Sequence, residues 1–129
     1  MQRTALVACL FLAGSTPGAS AQDLAAGETS FKKCLPCHSV GPDAKNKVGP
    51  VLNGLDGRHS GSIEGYNYTE ANKNSGLTWD EDTLRKYLAN PQGTLKGTKM
   101  IFAGIKDPEK ANDVIAYLKQ FKEDGSKAN

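Results

Sequence analysis

Apolar residues at helical spacing mark both ends of this chain, and between them the pattern dissolves. Leu24, Gly27 and Phe31 share one stripe behind Asp23, whose carboxylate can accept free N–H groups of a first turn, and they predict a helix over 24–33. Near the other end Val114, Leu118 and Phe121 recur at i, i+4 and i+7, a core face. The preceding Asp107-Pro108-Glu109 offers in turn a cap, a proline suited to the first helical position and an acid that complements the helix dipole. A further helix is expected over 79–89: Thr78-Trp79-Asp80-Glu81 has the form of a capping box, Leu84, Tyr87 and Leu88 make one apolar face, and Asn90-Pro91 stops the helix. From 39 to 77 the chain is rich in Gly, Pro and Asn, and neither a helical nor an alternating period survives. Connections rarely exceed about 12–15 residues without structure of their own, so this stretch is expected to wrap something. No run of β-branched residues looks like a core strand. The expected class is all-α, a few helices with long loops, and the tail 123–129 is expected to fray.

The first residues change the domain picture. Arg3, an apolar stretch over 5–13 and Ala19-Ser20-Ala21 have the order of a secretory signal peptide, with cleavage expected after Ala21. The apolar part is too short for a bilayer core of about 30 Å. Leu6-Val7-Ala8-Cys9 looks like a lipoprotein processing box, but few residues precede it, which leaves a lipid anchor as the lesser alternative. The expected division is therefore a signal peptide, 1–21, and one small domain, 22–129, exported to the periplasm. Export removes Cys9 and leaves Cys34 and Cys37, too few for a disulfide scaffold. The domain has nine Leu, four Ile, four Val and three Phe, 20 of 108 residues, just under the roughly one-fifth at which ordinary packing becomes doubtful. The polypeptide alone offers a thin core.

Cys34-Leu35-Pro36-Cys37-His38 supplies what is missing, because C-x-x-C-H is the attachment signature of a c-type haem. Thiols three positions apart lie on the same side of a helical turn, where both can form thioethers with one porphyrin edge while the next imidazole reaches the iron. A thioredoxin-like dithiol would need alternating strands and helices. A zinc site needs about four ligands, and beyond the motif only the isolated His59 remains. The expected cofactor is one covalent haem c per chain, with its apolar ring as part of the core. Past the leader Met100 is the single methionine, in Gly97-Thr98-Lys99-Met100-Ile101-Phe102-Ala103-Gly104, and it is the candidate for the axial position opposite His38. The plainer reading is a gap-filling hydrophobe. Arg58 is the candidate to pair a buried propionate, since a carboxylate in low dielectric is costly without a partner, whereas His59 in a polar turn is more simply surface.

These segments, with Gly49-Pro50, 54–58, 68–72, 77–79, Tyr87-Leu88 and 115–118, resemble the soluble class I cytochromes c of the mitochondrial-like branch found in bacteria, over nearly all of 22–122. The resemblance implies thioethers at Cys34 and Cys37, axial ligands His38 and Met100, and the Pro50 carbonyl on the imidazole N–H. It further implies Arg58, Tyr66, Tyr68, Trp79 and Thr98 around the propionates, Asn72 and Tyr87 beside a buried water near Met100, and a contact of Gly27 and Phe31 with the last helix near Tyr117. Lys96 departs from the proline usual at that place, which predicts a looser Met100 loop.

Charge decides little by number: 16 basic and 14 acidic residues give the whole chain +2, and loss of Arg3 lowers that by one. Its distribution says more. Lys32, Lys33, Lys45, Lys47, Lys96, Lys99 and Lys106 flank the haem motif or the Met100 loop, as suits steering toward acidic docking sites. No basic cluster interleaved with aromatics points to nucleic acid. The expected function is a monomeric periplasmic electron carrier, not an enzyme. Its partners would be membrane-bound respiratory or photosynthetic complexes, with a quinol-cytochrome c reductase-type donor and an oxidase or reaction-centre acceptor. The alternative is a haem ligand-binding or peroxidase-type protein with a labile sixth ligand.

Overall fold

A computed structural model describes residues 22–128, so the expected signal peptide and its cleavage point lie outside the described residues. Among the described residues five helices follow one another: α1, Leu24–Phe31; α2, Glu70–Lys73; α3, Glu81–Ala89; α4, Pro91–Thr94; and α5, Pro108–Lys119. Among the described residues extended pairing is limited to two isolated bridges, His59 with Thr78 and Phe121 with Lys127. The chain is all-α with long loops, as its patterning predicts.

α1 crosses α5 where Gly27 leaves no room for a side chain: a Cβ there would lie 2.1 Å from the Asp113 carbonyl oxygen and 2.9 Å from Tyr117 Cβ. The Asp23 carboxylate caps α1 by accepting the Ala26 N–H at 3.0 Å, and the Asp23 N–H donates to Asp113 Oδ1 at 2.9 Å. Phe31 then meets Tyr117 at 5.5 Å between ring centroids, and Tyr117 meets Phe121 edge-on at 5.3 Å. The expected contact of Gly27 and Phe31 with the last helix is therefore present. α3 joins this pair through Leu84 and Leu88, which share one core with Val114, Ile115 and Leu118. Such side chains stabilise by about 1.5–3 kcal/mol each when fully buried. Arg85 ties α3 to α5 outside the core, its Nε donating to Asn112 Oδ1 at 2.7 Å.

Four expectations need correction. α1 ends at Phe31, and the chain goes on in turns through Cys37. Thr78 is not the cap of α3: Asp80 is, its carboxylate accepting the Thr83 N–H at 2.8 Å, while the Thr78 hydroxyl bonds His59 Nδ1 at 3.2 Å. The middle stretch holds the short α2, capped by Thr69, and Pro91 ends α3 yet begins α4. The tail is folded rather than frayed as far as Ala128, the last described residue. The Gly54 N–H donates to the Phe121 carbonyl at 2.9 Å, the Lys122 N–H to Ser126 at 2.9 Å and the Ala128 N–H to Gln120 at 2.7 Å. Gly125, at φ +81°, presses so closely on Gly41 that a Cβ would stand 2.1 Å from the Gly41 carbonyl oxygen.

Candidate functional site

Between these helices and the wrapping loops lies a cavity of about 340 Å³, within the roughly 300–1,000 Å³ typical of cofactor sites. Its lining runs from Phe31 to Leu118 and includes Cys34, Cys37, His38, Pro50, Arg58, Tyr66, Tyr68, Asn72, Trp79, Tyr87, Thr98 and Met100. Every residue singled out from the sequence for haem attachment, axial ligation, propionates or supporting hydrogen bonds thus lines this one cavity. His59 does not; it stays exposed on the turn paired with Thr78.

The turn after α1 delivers the motif. Cys34 N–H donates to the Phe31 carbonyl at 2.7 Å, and Cys37 and His38 N–H groups both donate to the Cys34 carbonyl, at 3.0 and 2.8 Å. The two thiols are unbridged and half-buried. Burial first, and then Cys37, push the Cys34 thiol up to about 11, with Lys33 pulling it partly back. It is a protonated thiol at neutral pH. Among the described residues no three His, Cys, Asp or Glu side chains cluster as a metal site would need.

His38 is held by a run of four rungs between two loops. Gly49 N–H donates to the Cys37 carbonyl at 2.8 Å, His38 Nδ1 lies 2.7 Å from the Pro50 carbonyl, and Leu52 N–H donates to the Ser39 carbonyl at 3.1 Å. The fourth rung is a side chain. The Asn53 carboxamide donates to the Gly41 carbonyl at 2.8 Å and accepts the Gly41 N–H at 2.9 Å, buried to 7% exposure. A carbonyl can only accept, so Nδ1 carries the proton and Nε2 keeps its lone pair free. Burial lowers the His38 pKa most, the Pro50 bond opposes this, and Arg58 and Lys47 lower it further, so the ring is neutral at pH 7. Gly49 packs against it: a Cβ would lie 2.3 Å from His38 Cε1.

Arg58 gives the sharpest test of what the cavity accepts. Its Nη1 donates to the Val51 and Asn53 carbonyls at 3.0 and 3.1 Å, but its Nε is buried with no partner. Burial is the first cause of its lowered pKa. A half-buried cation whose buried Nε has no acceptor calls for an anion, and the carboxylate edge of a haem is one. The apolar wall of Phe31, Leu52, Leu55, Leu84, Leu88 and Val114 suits the ring, so the residues present fit a haem.

The polar groups around the far wall mostly bond one another. Tyr87 and Thr98 hydroxyls lie 2.8 Å apart, Thr69 Oγ1 donates to Asn72 Oδ1 at 3.0 Å, and the Tyr66 hydroxyl donates to the Val48 carbonyl at 2.6 Å. Lys99 lies 4.5 Å over the Tyr66 ring. Asn53 and Gln92, whose carboxamide donates to the Thr98 and Met100 carbonyls, were not visible in the sequence, because each acts on main-chain groups that only the fold brings near, and Gly49 was noted there without its packing role.

Comparison with known proteins agrees with this geometry. The family model described as "Cytochrome c" matches residues 24–122. A cytochrome c2 of Blastochloris viridis is 64% identical over 116 residues, 90% of this chain and 91% of that protein. A cytochrome c-550 of Bradyrhizobium diazoefficiens is 55% identical over 101 residues, 78% of this chain and 74% of that one. The solved structure of cytochrome c2 from Rhodospirillum centenum superposes with a TM-score of 0.73 at 43% identity, over 78% of this chain and 98% of that one.

Proposed function

This chain belongs to the cytochrome c family, and on that premise we propose that it shuttles single electrons in the periplasm between membrane-bound respiratory or photosynthetic complexes. It carries one covalently attached haem c, which when bound supplies the one-electron iron couple. The observation that carries the reading is a single cavity lined by Cys34, Cys37, His38, Met100 and Arg58, whose Nε is unpaired.

Each side chain has a role that follows from its chemistry. Cys34 and Cys37 fasten the ring edge. His38 presents Nε2 while its other nitrogen is committed to Pro50, a bond that fixes the imidazole plane and makes it a stronger donor. Met100 provides the soft thioether that favours the reduced state. Arg58 meets a propionate, with Tyr66, Tyr68, Trp79 and Thr98 around it, and Asn72 and Tyr87 hold the polar side near Met100.

The rim suits transient docking by a monomer. Val48 and Ile101 line the cavity yet are 72% and 99% exposed, an apolar lip where electrons can cross, and Lys33 and Lys99 line the same mouth. Positive charge beside an apolar contact favours fast encounter with an acidic partner surface and easy release, as a shuttle between a quinol-cytochrome c reductase-type donor and an oxidase or reaction-centre acceptor requires. Among the described residues no helix is long and apolar enough to cross a membrane.

Met100→Ala tests the reading. The variant is expected to lose the weak thioether-to-iron absorption of the oxidised protein, to bind carbon monoxide rapidly when reduced, and to have a lower midpoint potential. If colour, potential and carbon monoxide resistance stay at native values, the carrier reading fails. Native protein that already binds carbon monoxide rapidly would favour the ligand-binding or peroxidase-type alternative.

A further inference from the structure

The segment that carries Met100 has little structure of its own. No backbone N–H from 99 to 104 finds a backbone acceptor among the described residues, and the next main-chain bond is from Ile105 N–H to the Leu88 carbonyl at 2.7 Å. Gly97 stands at φ +87° just before it. What grips Met100 is side-chain chemistry. Its N–H donates to Thr98 Oγ1 at 3.3 Å, and Thr98 Oγ1 lies 2.8 Å from the Tyr87 hydroxyl. Its carbonyl accepts from Gln92 Nε2 at 3.1 Å, and the same nitrogen donates to the Thr98 carbonyl at 3.2 Å. A carboxamide has the two N–H donors that this double bond needs.

Gln92 works from a firm base. It sits in α4, where Pro91 is among the most deeply buried residues and Asn90 caps the helix by accepting the Gly93 N–H at 3.0 Å. Thr94 ties the same turn to α3, its hydroxyl donating to the Lys86 carbonyl at 3.0 Å. The rigid element and the unstructured one are therefore joined across Gln92.

We infer that Gln92 is a positioning residue for Met100, a clamp that keeps the thioether in place against competing ligands. The inference rests on the proposed axial role of Met100. Gln92 is exposed, so Gln92→Leu leaves the core intact. A second change supplies rigidity by another route. The Lys96 N–H donates to no backbone group, Lys96 has negative φ, and Leu95 lies at φ −135°, ψ 88°, outside the helical region that a following proline forbids, so nothing in the loop's hydrogen bonding or in the preceding residue opposes Lys96→Pro.

The experiment titrates oxidised, haem-loaded protein with imidazole and follows loss of the thioether absorption band. Two lost neutral hydrogen bonds predict that Gln92→Leu binds imidazole on the order of ten-fold more tightly than the native chain. Gln92→Leu/Lys96→Pro is expected to recover most of the difference. Equal affinities in the native chain and Gln92→Leu, or a change that Lys96→Pro does not reverse, overturn the inference. A native chain without the band, whose imidazole affinity Met100→Ala leaves unchanged, shows instead that the axial assignment is wrong, and the clamp falls with it.

Discussion

Gly49 shows how closely a single residue is constrained by the site. A Cβ at this position would stand 2.3 Å from His38 Cε1, so even a methyl group forces the imidazole or its loop to move. Gly49→Ala is expected to cost about 1–3 kcal/mol, as overpacking does. It should also disturb the Nδ1 bond to Pro50, which denaturant titration of the loaded protein and the imidazole proton resonances would register together. A loss of stability with an unmoved imidazole would place the strain elsewhere. At this scale the sequence shows residues that are rare or spaced by chemistry: Cys34, Cys37 and His38 by their motif, Met100 by being alone, Arg58 by its charge in a loop. Gly49 and Asn53 carry no such mark. One matters for what it lacks, and the other for a carboxamide that imitates a peptide group against Gly41.

Helix α3 shows how tertiary pairing overrides a local signal. Thr78 and Asp80 are both competent caps. The extended pairing of 57–60 with 77–79, in which Gly57 N–H donates to the Trp79 carbonyl at 2.9 Å and Trp79 N–H to Arg58 at 2.8 Å, keeps Thr78 and Trp79 out of the helix and passes the cap to Asp80. The helix and its apolar face were legible in Leu84, Tyr87 and Leu88, but its starting residue was not. The Asp80 carboxyl is held below its ordinary value, first by the Thr83 N–H it accepts. A depressed carboxyl stabilises the fold above the unfolded value, 3.8, and that contribution fades as pH falls through the lower native value. Asp80→Ala is therefore expected to be less stable than the native chain at pH 7, and the gap should narrow on acidification toward pH 2. Thr78→Ala should show no such pH-dependent gap. Chemical denaturation at both pH values decides.

For the whole molecule the governing quantity is the cavity. Without the ring, the largely apolar lining of this space of about 340 Å³ would stand open to water, and a chain with so few apolar residues has little else to offset the roughly 1–2 kcal/mol per residue of backbone entropy. The thin core read from composition and the cavity seen in the fold are the same fact. A chain whose Cys34 and Cys37 are both replaced by Ala, made without haem, is expected to lack a cooperative melt. A sharp native-like transition in calorimetry would contradict this. The folded tail was illegible because it is held by main-chain bonds, such as Ala128 N–H to Gln120, and by close approaches at Gly54, Gly41 and Gly125, none of which leaves a side-chain pattern.

The burial of the attachment thiol also bears on the order of manufacture. The cavity opens at Val48 and Ile101, but Cys34 lies half-buried inside it, and in a finished fold its protonated thiol would react slowly. Ligation is therefore expected on a pliable polypeptide, before the fold is complete. A bare chain too weak to collapse by itself is then an asset to the ligating machinery, and changes that let it fold early should lower the yield of mature protein.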